Sequence, residues 1–337
     1  MSDLCRSYRP SSYQAQLDTV MQEFAWRHGI WVEGSSDAYT HLVAFVYPDA
    51  APERLMTLGK IYLVDFYLND TIGRDKFAHL APRERRDAVR VVERIVRACE
   101  SSSREEATGL DRAHGQALAE IRASADPSWW KGFVPLWRAH LAETHQDRNA
   151  AATGRVPTVE RYIEERIVYS GMAHAVALVE YGMRISLDRA ALSRLAPGAE
   201  GMVDRLGWLC CVVAALSNDL FSLEKEFVDH EADTNLVPVL LLCEPRMTFD
   251  DAVRRAGAIV SGYLTEFLDT VDRIGRTEEE LRPAAPQLAA TLAVYARAVS
   301  HYVQACWSWQ TYTTRYRRNR SIFWELCTPQ GRFDERT

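Results

Sequence analysis

The segment Asn218-Asp219-Leu220-Phe221-Ser222-Leu223-Glu224-Lys225-Glu226 concentrates side chains that could hold a metal ion. On a helix, Asn218, Ser222 and Glu226 step by four residues and line one stripe that drifts only about 40° per step. The stripe continues from the apolar run 212–216. Its oxygens should therefore point inward, where an unpaired carboxylate is costly. A hard cation such as Mg²⁺, which takes oxygen ligands and keeps water or phosphate in its shell, would satisfy them. A helix emerging to solvent at its polar end fits the same spacing.

A second oxygen cluster, Asp65, Asn69, Asp70 and Asp75, lies at the end of the apolar run 61–68. Asp65 and Asn69 share a helix face, Asp70 is the next residue round, and Asp75 follows Gly73, where the helix can loosen. Asn69 to Gly73 reads equally well as an ordinary helix exit.

The elements that must carry these clusters are helices. Apolar residues recur every three and four positions, and alternation with period two is rare, which predicts an all-α, single-domain protein. Helices are expected over 13–30, 34–47, 51–71, 81–98, 108–124, 129–147, 157–181, 186–193, 199–226, 247–274, 285–316 and 320–326. Residues 275–286 and 329–337 read as loops or mobile connectors. The expected organisation is a flexible segment 1–14, one domain 15–326 and a flexible tail 327–337.

Composition narrows the function. The chain has 337 residues, is 47% hydrophobic and carries a net charge of −6, which argues against a nucleic-acid partner. The longest apolar stretch, 207–216, is too short to span a bilayer, and residues 1–14 lack a signal-peptide core, so a cytoplasmic protein without stable membrane insertion is expected. Seven scattered cysteines show no zinc spacing and read as buried, reduced thiols. Glycine-rich nucleotide motifs and the DxDD acid motif of protonation-initiated cyclases are absent.

Taken together, the two clusters resemble those of the class I terpene synthases (terpene cyclases) of bacteria. NDxxSxxKE at 218–226 is similar to that family's second metal motif in full, and Asn235-Leu236-Val237 to its sequel. The earlier acidic segment stands where the first motif is expected, with Asn69-Asp70 in place of the usual adjacent aspartates and Asp75 as the following acid. Arg315-Tyr316 resembles the closing pair that donates hydrogen bonds to diphosphate. The stretch Tyr162 to Gly171 resembles the segment carrying a diphosphate-sensing arginine, with Ile167 at the usual sensor position and Arg166 beside it. Arg166, or Arg184 from elsewhere, takes that role in this reading. Ser170 and Gly171, after Tyr169, fall where the family breaks a helix and turns a carbonyl toward the developing cation. The resemblance covers about residues 15–325.

The resemblance implies a helical bundle around an active-site cavity and a Mg²⁺ cofactor, three ions with diphosphate bound, with Mn²⁺ as a substitute. Asp70 is the first choice of ligand in the earlier motif, with Asn69, Asp65 and Asp75 as further candidates beside Asn218, Ser222 and Glu226. Lys225, Arg166, Arg315 and Tyr316 would meet the diphosphate of a farnesyl or geranylgeranyl substrate. Aromatic faces would hold the hydrocarbon cation, with Phe66 and Trp309 favoured over Tyr67, Phe133, Trp137, Tyr162, Tyr169, Trp208, Phe221 and Trp307. The basic run Arg315, Arg317, Arg318 and Arg320 reads as a phosphate-facing rim or as a solvated helix end. A homodimer is compatible with the resemblance. The competing readings are a prenyl diphosphate hydrolase, a chain-elongating prenyltransferase of the same fold, and a non-catalytic helical interaction protein.

Overall fold

A computed structural model describes residues 9–32, 36–99 and 108–316, and within them every regular element is helical. The first half contains α1 (Gln14–His28), α2 (Ser36–Val46), α3 (Pro52–Ile72), α4 (Arg74–Phe77), α5 (Pro82–Ala98), α6 (Gly109–Ser124), α7 (Pro127–Thr144) and α8 (Ala150–Thr153). The second contains α9 (Val159–Tyr169), α10 (Met172–Gly182), α11 (Arg189–Leu195), α12 (Ala199–Leu223), α13 (Leu236–Cys243), α14 (Phe249–Leu281) and α15 (Pro286–Tyr312).

Local chemistry sets many of these starts. Pro52, Pro82, Pro127 and Pro286 occupy first helical positions, where no backbone N–H is needed. Thr108, Asp126, Thr158 and Thr248 accept first-turn N–H groups through their side chains. Long-range packing then orders the helices. The central α12 contacts α9, α10, α14 and α15, while α3 is embedded among α1, α2 and α6. The space left between α3, the α9–α10 junction, α12 and α15 becomes the cavity described below.

Several sequence expectations require correction. The helix that periodicity predicts over 157–181 is interrupted at Ser170–Gly171, where the family resemblance implies a break, giving α9 and α10, because Gly171 adopts the left-handed region at φ +80. Residues 275–281 are the end of α14, not a loop. Their Glu and Arg side chains suit a helix, Thr277 and Leu281 are buried, and the helix stops just before Pro283. Helix α13 is an additional element, capped by the Asn235 side chain on Val237 N. The helix expected over 285–316 ends at Tyr312 and gives way to a single 3₁₀ turn, Thr314–Tyr316. The helix expected at 320–326, Arg317, Arg318 and Arg320, and the tail lie outside the described residues. Of the segment 1–14, residues 9–14 are described, and Ser11 is buried with its N–H on Ala44 O at 2.8 Å.

The continuous stretch Ala199–Asp229 is, among the described residues, long and apolar enough to cross a membrane, although the run read from sequence is shorter. Yet 83% of its most apolar window is buried inside the protein, where neighbouring helices cover it. Of the described cysteines, Cys210, Cys211 and Cys306 are buried thiols as expected, whereas Cys99 is half-buried and Cys243 is exposed.

Three core histidines carry a testable consequence. Burial lowers His114, His145 and His174 from the ordinary 6.5 to about 4, so each is neutral in the fold. The unfolded chain binds protons to them first as pH falls, so their stabilisation is complete above pH 6.5 and declines toward pH 4. Each should cost about 2 kcal/mol between pH 7 and pH 5. Urea melts at the two pH values should show a lower midpoint at pH 5; equal midpoints would contradict neutral burial.

Candidate active site

Asp70, near the end of α3, is engaged from several sides. The Tyr39 hydroxyl and the Arg315 guanidinium donate to its carboxylate, Arg315 Nε lying 3.1 Å from Oδ1, and the Lys76 ammonium donates to its backbone carbonyl. Burial works against ionisation of Asp70, but Arg315, Lys225 and Tyr39 outweigh it and hold the carboxyl below its ordinary value. Arg315 also donates to Tyr316 Oη at 2.8 Å, and Asn218 Nδ2 donates to the same oxygen at 2.8 Å. The turn after α15 thus forms a strap from Asp70 through Arg315 and Tyr316 to Asn218.

The second cluster is shaped by a change of helix type. Asn218 and Ser222 lie on α12, and the chain continues through a π-helical turn over Glu224–Asp229. The wider turn, a feature found often at functional sites, carries Lys225 and Glu226 into the wall that Asn218 lines. Ser222 Oγ donates to Asn218 O at 2.8 Å, and Glu226 Oε2 accepts from Asn235 Nδ2 at 3.1 Å. Asn235 also donates to Asp219 O at 2.8 Å, which gives the residue after the motif a structural role.

Arg166 is buried in this same wall. Its Nε donates to Asp219 Oδ1 at 2.7 Å and a terminal nitrogen donates to Asn218 Oδ1 at 3.0 Å. Burial opposes its charge, but Asp219 and neighbouring groups overcome that cost and hold it well above its ordinary value. Asp219, fully buried, also accepts from the Tyr162 hydroxyl and from Leu236 N at 3.1 Å. Its importance was missed from the sequence because it faces away from the oxygen stripe. The usable signal was a carboxylate adjoining an apolar run with no local cation.

Arg184, the alternative arginine, lies in an exposed turn at φ +52 and does not line the cavity. Asn69 lines it, whereas Asp75 contributes backbone to α4 and its side chain lies outside the described set. Asp65 lines it too, with Oδ1 2.7 Å from His140 Nε2 and Oδ2 3.6 Å from His174 Nε2. Neither histidine was singled out in the sequence. Ser170 and Gly171 also line the cavity. A Cβ on Gly171 would sit 2.8 Å from His174 Cε1 and 3.1 Å from His140 Cε1, so the close packing as well as the backbone requires glycine.

The cavity and its opening to solvent together span about 910 Å³, and the lining has a consistent polarity. On α3 the lining runs from Tyr62 and Phe66 to Asn69; on α12 and its extension, from Ala214 and Ala215 to Asn218, Lys225 and Glu226. From α15 it runs from Tyr302 and Trp309 to Arg315 and Tyr316. One end is therefore polar and the other largely apolar. Phe66 and Trp309 pack with ring centroids 5.6 Å apart. Tyr169 joins them in the lining, as do Tyr62 and Tyr302, which the sequence did not distinguish from core residues. Phe133 and Trp137 are instead core, Tyr162 serves Asp219, and Tyr67, Trp208, Phe221 and Trp307 are not in the lining.

The donors Asn218, Ser222 and Glu226 combine amide, hydroxyl and carboxylate oxygens, which suit a hard cation that retains solvent or phosphate. Among the described residues no group of three His, Cys, Asp or Glu side chains forms a metal cluster by itself. The oxygen chemistry fits Mg²⁺ through this mixed set, of which Asn218 and Glu226 line the cavity while the fully buried Ser222 does not; Asp70 is not in the lining either and reaches it through Arg315.

Residues 60–266 match the family described as terpene synthase family 2, C-terminal metal binding, a region that contains both oxygen clusters and Arg166. The chain belongs to this family. It is 26% identical over 224 residues to spiroviolene synthase of Streptomyces violens, covering 66% of this chain and 58% of that protein. It is 26% identical over 184 residues to the sesquiterpene cyclase hepA of Aspergillus oryzae, covering 55% and 47%. The chain thus spans about half the length of these two curated relatives. The structure is similar to that of a-eudesmol synthase, with a TM-score of 0.73 and 17% identity over 90% of this chain and 96% of the other. The fold is that of the class I terpene synthases, and the relatives include both bacterial and fungal cyclases.

The buried pair gives this family member a measurable vulnerability. Arg166→Met should leave Asp219 charged and uncompensated, destabilising the fold by about 3–5 kcal/mol. Urea denaturation should record that loss, and a change under about 1 kcal/mol would deny the pair its structural role.

Proposed function

We propose that the protein is a Mg²⁺-dependent class I terpene cyclase acting in the cytoplasm on farnesyl or geranylgeranyl diphosphate. What chiefly supports this reading is the strap from Asp70 through Arg315 and Tyr316 to Asn218, set across the polar end of an aromatic chamber. Asp70 on α3, together with Asn218 and Ser222 on α12 and Glu226 on its extension, would hold Mg²⁺. Bound there, the metal supplies positive charge to the leaving diphosphate.

The protein's own groups account for the remaining chemistry. Lys225, Arg166, Arg315 and Tyr316 would bind and orient the diphosphate through charge-assisted contacts. Breaking the allylic carbon–oxygen bond sends its electron pair to diphosphate and leaves an allylic cation. A distant double bond of the same chain then supplies electrons to form the ring. Phe66, Trp309 and Tyr169 offer aromatic faces to the cation, while the chamber wall excludes water until a proton is lost or one water is admitted.

Purified protein with Mg²⁺ should convert one of the two diphosphates into a cyclic hydrocarbon or alcohol detectable by gas chromatography–mass spectrometry. Asn218→Ala should lower diphosphate release about 100-fold or more while leaving the circular dichroism spectrum intact. Linear alcohol alone would indicate a hydrolase, a longer prenyl diphosphate would indicate chain elongation, and no turnover of either substrate would overturn the reading.

A further inference from the structure

The apolar half of the chamber contains one feature that diphosphate binding does not explain. Asp65 lies five residues before Asp70 on α3, about 7.5 Å farther from the polar end along the helix axis, in the interval between the aromatic positions Tyr62 and Phe66. Its side chain is 21% exposed, and it is a lining residue. Among the described lining residues, it is the carboxylate set back from the polar end into the aromatic section.

The surrounding structure keeps that charge in place. His140 Nε2 approaches one carboxylate oxygen at 2.7 Å, and His174 Nε2 lies 3.6 Å from the other. His140 Nδ1 is 2.9 Å from Thr144 Oγ1, which fixes the ring from its far side. His174 Nδ1 is buried without a hydrogen-bond partner, so this ring is oriented toward Asp65 at the expense of its other nitrogen. Gly171 leaves the space that both rings occupy. Burial alone would raise the Asp65 carboxyl, but His140 and His174 hold it well below the usual carboxylate range.

An anion fixed in an apolar, aromatic wall is complementary to a cation in the adjoining space, where weak screening lengthens its reach. The geometry points to Asp65 as a cation-facing catalytic residue, positioned by His140 and His174, whose carboxylate fixes where positive charge rests on the hydrocarbon and thereby selects the product. This inference rests on the cyclase reading, and it separates Asp65 from the metal set: Asp70 serves the diphosphate end and Asp65 the hydrocarbon.

The test compares wild type with Asp65→Asn by titrating each, with Mg²⁺ and inorganic diphosphate present, against two C15-length probes. One is a tertiary ammonium, and the other is the neutral hydrocarbon of the same shape. Asp65→Asn should weaken ammonium binding about tenfold and hydrocarbon binding less than about twofold. Unchanged ammonium binding, or an equal loss for both probes, would overturn the inference, since a merely structural Asp65 does not distinguish charge. With the substrate that turns over, Asp65→Asn should also redistribute the terpene products, and identical proportions would overturn the inference. Failure of wild type to turn over any prenyl diphosphate would instead remove the cyclase reading, while the two probes would still decide whether the chamber wall is a cation site. Should Asp65→Asn not fold, Asp65→Ser replaces it in the same comparison, with the same outcomes deciding.

Discussion

Asp219 carries a charge in a place with no water to solvate it, and much of the active-site wall is arranged around meeting that demand. Its carboxylate receives Arg166 and Tyr162 from α9 and the backbone N–H of Leu236 at the start of α13. A buried ion pair gains little over a well-packed apolar substitute, but losing one partner is expensive. That asymmetry fixes α9, α12 and the chain entering α13 relative to one another. It also places the free end of the Arg166 guanidinium on Asn218, where the same residue that neutralises the interior borders the candidate diphosphate site.

The chamber follows from the directions of three helical segments. α3, α12 and α15 each present apolar or aromatic side chains along one section and polar groups near their C-terminal ends or just beyond them. Small residues widen the interior, with Ala175, Ala214 and Ala215 on the wall and Gly171 at the break between α9 and α10. The strap after α15 then links the polar ends of α3 and α12. An ionising headgroup and a greasy chain need such a division, because the first requires concentrated countercharge and the second requires exclusion of water.

The sequence made the oxygen stripe legible because four-residue spacing is a local property of a helix. The all-α architecture was legible for the same reason. Arg166 could be recognised as lacking a local acidic partner, but Asp219 lies 53 residues away and only tertiary packing brings it there. The Ser170–Gly171 region was legible through family resemblance, whereas the two histidines under Gly171 come from α7 and α10. Tyr62 and Tyr302 escaped notice because aromatic residues at helical spacing look alike whether they face a core or a cavity. The end of α14 was misread because charge was taken as a loop signal, although Glu and Arg are good helix formers and the buried Thr277 and Leu281 keep one face inward.

The central claim is that the two oxygen clusters act as one site across the mouth of the chamber. It is tested most directly by a crystal structure of the protein with inorganic diphosphate and Mn²⁺, whose anomalous scattering locates the ions. The account predicts metal on Asp70 and on Asn218, Ser222 and Glu226, with the diphosphate between them and contacted by Arg166, Lys225, Arg315 and Tyr316. Diphosphate bound away from these walls, or metal absent from the Asn218, Ser222 and Glu226 set while diphosphate is bound, would contradict it.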